Sequence, residues 1–116
     1  VKASRAVDAD LDAPLYVKAL ASDSTKPYWM NFQQIKPGCC DVFIWVAVWR
    51  DVIRYWVLSS RELEENPHYS QGQHRGNVGE GQLHVRDDNI SDFSGFEVRP
   101  NRLAEAIQDA WRRQNR

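Results

Sequence analysis

Cysteine is scarce in this chain of 116 residues: there are two, side by side as Cys39-Cys40. No disulfide framework can be built from them, and neighbouring side chains point apart in an extended segment, so a reducing, cytoplasmic setting is expected. Long apolar runs are lacking too. The longest, Val42 to Trp49, is far shorter than the roughly 20 residues a membrane-spanning helix needs, and no integral membrane protein is expected. Neither charge dominates, since 15 Lys and Arg stand against 16 Asp and Glu. That excludes a global basic field, and contact with nucleic acid would need a local patch. There is no internal repeat and nothing like a signal peptide; the first residue is Val, and a native start further upstream is expected. What is present, 42% hydrophobic and 27% charged residues, suits one core, so residues 1–116 are expected to form a single domain.

Asp8, Asp10 and Asp12 alternate in a polar stretch ending at Pro14. A calcium loop would need Gly and a carboxylate where Ala13 and Ala19 stand, so a solvated loop is expected instead. Leu15 to Ala21 reads as strand or helix. Pro27 fits a first helical turn, and Trp29, Phe32, Ile35 and Lys36 recur at roughly helical spacing before Pro37-Gly38, which predicts a short helix. Val42 to Trp49 is apolar on both alternating faces, as a strand covered on both sides would be, and Trp45 and Ile44 are expected among the most buried residues. Arg50-Asp51 interrupts, Val52 to Leu58 resumes, and the two segments read as a hairpin.

Ser60 to Glu65 reads as a short helix with acidic groups near its positive end and Pro67 beyond it. Pro67 to Gly81 holds four of the six glycines and almost no aliphatic residue, so an exposed, mobile loop is expected. Leu83 to Val85 reads as a short strand, and Phe93, Phe96 and Val98 as an apolar cluster. The last helix has Asn101 as its cap, a stripe of Leu103, Ala106, Ile107, Ala110 and Trp111, and Arg112, Arg113 and Arg116 near its negative end. Trp29, Trp45, Trp49, Trp56 and Trp111 read as core. The pattern as a whole is α/β, a mixed central β-sheet with flanking helices.

Gln33, Gln34 and Lys36 form a polar set whose amides and ammonium suit phosphate or base-edge contacts; a solvated face is the plainer alternative. In the Gly-rich loop, Gln73, His74, Arg75 and Asn77, flanked by Gln71 and Gln82, offer hydrogen bonds where glycines let backbone approach a ligand. Arg75 carries the planar fork suited to phosphate or guanine. Zinc is not expected, because Cys39-Cys40 is vicinal and His68, His74 and His84 are far apart. His74 and Asn77 are too close together for an HNH-type nuclease.

The opening Val1-Lys2-Ala3-Ser4, followed downstream by Asn31-Phe32-Gln33-Gln34-Ile35-Lys36, the strand Asp41 to Trp49 and its partner Ile53 to Ser59, resembles the back half of the PD-(D/E)XK nuclease superfamily, the restriction-endonuclease-like family. There a strand carries an acid, any residue, then Lys, and Val1-Lys2 matches the last two places. The acid would stand immediately before Val1, with a further Asp upstream of it. The resemblance implies a restriction-endonuclease-like fold and a Mg²⁺-dependent DNA endonuclease in the complete protein, with Lys2 catalytic and ending a central strand at a site open to solvent. The metal ligands would precede Val1, and the chain as given would not cut. Such nucleases often work as dimers, so a homodimer is one implied arrangement. The alternatives are a terminal lysine without a role, a non-catalytic DNA- or protein-binding module on the same scaffold, and an interaction protein such as an antitoxin or immunity factor.

Overall fold

The apolar segments at 42–49 and 52–58 pair as the alternation of their side chains demands, and the rest of the chain is arranged around them. The fold is known from a computed structural model that describes residues 1–71 and 80–116, so Gln73, His74, Arg75 and Asn77 lie outside the described residues. Among the described residues the order is β1 (Lys2–Arg5), β2 (Val7–Asp8), α1 (Leu15–Lys18), β3 (Tyr28–Ile35), β4 (Val42–Val48), β5 (Ile53–Ser59), α2 (Ser60–Glu65), β6 (Tyr69–Ser70), β7 (Gly81–Arg86), β8 (Glu97–Val98) and α3 (Leu103–Gln114). No helix among them is long and apolar enough to cross a membrane.

The class is mixed α/β, with two sheets in place of the single central one expected. One has the order β1-β4-β5-β8, the other β2-β3-β7-β6. In the first, β1 runs parallel to β4, from Lys2 opposite Trp45 to Arg5 opposite Val48. The expected hairpin is there: β4 and β5 are antiparallel from Val42 opposite Ser59 to Val48 opposite Ile53. In the second sheet, β3 is antiparallel to both β2 and β7. Only Ala6, fully buried, separates β1 from β2, so one length of chain leaves the first sheet and enters the second. Lys2 therefore opens β1 instead of ending it, at the first place in its sheet's order.

The two sheets enclose one core. Met30, Phe32 and Ile35 of β3 and Leu83 and Val85 of β7 pack with Phe43, Trp45 and Ala47 of β4, Trp56 and Leu58 of β5, and Phe93. Trp45 stands edge-on to Phe32 at 5.2 Å and stacks on Phe43 at 5.5 Å. Each such side chain contributes about 1.5–3 kcal/mol on leaving water. The other face of β4 is covered only in part by α3, which lies against β5 and β4. Ile44 is therefore half-buried, not among the most buried as expected.

Several expectations are corrected. The helix predicted from Pro27 is strand β3: its register slips between Phe32 and Ile35, a β-bulge that shifts the buried phase from Met30 and Phe32 to Ile35 and so counterfeits a period of three. Leu15 to Lys18 is a single helical turn. Asp8 is buried, accepting from the Asp10 amide and 3.7 Å from Lys26, while Asp10 and Asp12 are exposed. Trp29 and Trp111 are 36% and 53% exposed, because each stands on the outer side of its element, whereas Trp45, Trp49 and Trp56 are core. Asn101 does not cap α3; it sits in the 3₁₀ turn Pro100–Arg102, and Arg102 takes the cap position without a side-chain bond.

The end of β5 flows directly into α2 through a capping box. Ser59 Oγ accepts from the Glu62 amide, and Glu62 Oε1 accepts from the Ser59 amide at 2.8 Å. Arg113 of α3 grips the same carboxylate with two bonds, at 2.9 and 3.1 Å. Burial opposes ionisation of Glu62, but the bonds from Arg113 and Ser59 outweigh it and hold the carboxyl below its usual range. Arg54 of β5 works alike on the other side: it binds Glu97 of β8 bidentately and lies over the rings of Trp49 and Trp56.

Candidate functional site

Along β1 the side chains alternate, so Lys2 and Ser4, both half-buried, share one face while Ala3 and Arg5 are exposed on the other. The shared face looks toward β3, from which β1 has splayed away to pair with β4. Side chains bridge the opening. Lys2 Nζ donates to the Gln34 carbonyl at 2.9 Å, and Ser4 Oγ donates to the Asn31 carbonyl at 3.3 Å.

Gln34 has φ 56°, the one positive value at a non-glycine among the described residues. A side chain in this region costs on the order of 1–3 kcal/mol, and it sits in the bulge of β3. The bulge leaves Gln33 and Gln34 exposed in succession, where an unbroken strand would have turned Gln34 inward. Further along the same face, Asn31 Nδ2 donates to Gln82 Oε1 of β7 at 3.1 Å, while Asn31 Oδ1 is buried and without a hydrogen-bond partner among the described residues.

Of the expected site residues the structure brings Lys2 to the carbonyl of Gln34, with Gln33 its neighbour on β3 and Lys36 two positions beyond. Lys36 is 3.7 Å from Glu80, and its side chain is 62% exposed. Its charge is thus offset by Glu80 in a pair open to solvent. Ser4, Asn31 and Gln82 join the same polar face. Ser4 was legible as the strand-period neighbour of Lys2; Asn31 was hidden by the helical reading of its segment.

Two of the histidines, His68 and His84, go elsewhere. His68 Nε2 bonds Asp92 Oδ2 at 2.9 Å and leans on Phe93, while His84 stacks on Trp29 and is held toward its neutral form by burial, and then by Arg86. Cys39 closes a 3₁₀ turn, so its side chain does not point away from Cys40 as an extended segment would require; both thiols are free and exposed, with sulfurs 3.8 Å apart.

Chemically, the face presents one ammonium among hydroxyl, amide and carbonyl groups. The Lys2 ammonium has three N–H groups and gives one to the Gln34 carbonyl; among the described residues the other two have no partner. It is not built for magnesium: the groups around Lys2 are an ammonium, a hydroxyl, carbonyls and amides, and no cluster of three His, Cys, Asp or Glu exists among the described residues. A hard dication takes carboxylate oxygens, so the described residues around Lys2 do not supply a magnesium site. No family model matches the chain, and comparison with curated proteins and with solved structures gives no match.

Proposed function

We propose that the complete protein is a metal-dependent DNA endonuclease of restriction-endonuclease-like type, with Lys2 at its active site. The observation that carries this reading is the position of Lys2. It stands on a strand paired in parallel with the apolar β4, its ammonium held by a backbone carbonyl with two N–H groups left over. Strand periodicity adds to this: in a β1 extended by two residues, the residue two before Lys2 would share its face. An acid there would stand beside the ammonium, as the acid-x-Lys motif requires.

In this reading Mg²⁺ would be held by carboxylates outside the described residues and would supply Lewis-acid polarisation of the phosphate. Lys2 donates to a non-bridging oxygen of the scissile phosphate, where negative charge grows as the water oxygen bonds to phosphorus. The ester P–O bond breaks, and the proton from water ends on the leaving hydroxyl. Gln33, Gln34 and Lys36 contact the DNA beside the cut, and Gln73, His74, Arg75 and Asn77 contact it from the segment between β6 and β7. The reading carries a cytoplasmic setting, DNA as partner and a homodimer as the arrangement for cutting both strands.

The test is incubation of supercoiled plasmid with the complete protein in Mg²⁺ and in EDTA. Nicked or linear product in Mg²⁺ alone supports the reading. Intact plasmid together with a gel shift would assign the scaffold to binding without cleavage.

A further inference from the structure

We infer that Gln34 is a positioning residue for Lys2, and that it acts through the left-handed conformation of its backbone, not through its amide. This rests on the proposal that Lys2 is catalytic. A lysine has a long, freely rotating stem, and an ammonium at a strand end sweeps a wide volume unless an acceptor fixes it. The acceptor here is a main-chain carbonyl, at 2.9 Å, which carries no formal charge and leaves the ammonium its full charge for an anion.

That carbonyl is reachable because β3 is irregular at this point. In a continuous strand each carbonyl lies in the plane of the sheet, toward its neighbouring strands. The positive φ of Gln34 and the slipped register between Phe32 and Ile35 free one carbonyl from the ladder. Ile35 then returns to the core, fully buried opposite Gly81. Non-glycine residues at positive φ persist where the surroundings impose them, and such strain gathers at functional sites. Ser4, bonded to the Asn31 carbonyl three residues earlier, anchors β1 to the regular side of the bulge and so fixes where Lys2 must reach.

The test compares two substitutions in the complete protein. Gln34→Gly takes the left-handed conformation freely and keeps the carbonyl; Gln34→Val resists it, being β-branched. Two readouts are followed: the rate at which acetic anhydride acetylates Lys2, measured by mass spectrometry against Lys18 and Lys26, and plasmid cleavage in Mg²⁺. With Gln34→Val, Lys2 is expected to acetylate several-fold faster and cleavage to fall about 10²-fold, while with Gln34→Gly, which keeps the carbonyl but loses the amide placed beside the DNA, Lys2 acetylation stays within about twofold of the parent and cleavage falls less than with valine. Should Gln34→Val fail to fold by thermal melting, Gln34→Ala, which opposes positive φ less, replaces it with the same direction expected.

If valine and glycine behave alike, or if Lys2 acetylation is unmoved in the folded valine variant, the inference is wrong. If acetylation responds as expected but the parent never cuts, the positioning role stands and the nuclease reading falls.

Discussion

The core between the sheets and the seam between β1 and β3 are built by different means. In the core, Phe32, Leu58 and their neighbours are held by burial of apolar area, and the indole N–H groups of Trp45 and Trp56 are buried without a partner among the described residues. At the seam, two side chains donate to main-chain carbonyls, and one of those carbonyls is presented by a residue at positive φ. Stability resides in the first region. The second is polar, holds Gln34 at positive φ, and is where the proposed reading has Lys2 meet a ligand.

The sharpest way to break this division is to show that the core is not where stability lies. Trp45→Ala should cost about 3–5 kcal/mol in urea unfolding, against a total of about 5–15 kcal/mol for a typical domain. A loss under about 1 kcal/mol would mean that β4 is not the centre of the fold. Next comes Gly81, where a Cβ would overlap the ring of Tyr69. Gly81→Ala should cost about 1–3 kcal/mol, and the cost should shrink in a Tyr69→Ala background, since the two sites share the clash.

Smaller again is Glu62, which closes the α2 capping box and receives Arg113; Glu62→Ala should cost about 1–2 kcal/mol. The carboxyl ionises more readily folded than unfolded. Its contribution is therefore present above the ordinary glutamate value of about 4.3, and it is lost as pH falls through the lower folded value. Glu97, held below its usual range by Arg54, adds in the same direction. Urea midpoints between pH 7 and pH 3 should thus fall for the parent, and Glu62→Ala should flatten part of that slope but not all of it. An unchanged slope would remove Glu62 from the pH response. The smallest effect belongs to the seam: Lys2→Ala should change stability by no more than about 0.5 kcal/mol.

What could be read from the sequence follows the same division. The β4–β5 hairpin, α2 and α3 were legible because each is a local pattern: unbroken alternation, an acidic first turn, a stripe at 3.6-residue spacing. The capping box of Ser59 and Glu62 went unread, because the helix was taken to start from Ser60 on its acidic residues alone. β3 was not legible, because its bulge moved Ile35 onto the buried phase and gave Trp29, Phe32 and Ile35 a spacing that belongs to helices. The parallel pairing of β1 with β4 joins residues more than forty apart, and no local pattern announces it. Lys2 itself was singled out through a resemblance, but its hydrogen bond depends on the backbone of Gln34, which side-chain identity does not encode.

The measurement that bears most directly on the central claim sets Lys2→Ala of the complete protein beside the parent in two assays, thermal unfolding and cleavage of supercoiled plasmid with Mg²⁺. A residue that serves chemistry and not the core predicts coincident melting curves and cleavage reduced to background. Undiminished cleavage by a folded Lys2→Ala protein, or a parent that leaves the plasmid intact at every Mg²⁺ concentration, would contradict it.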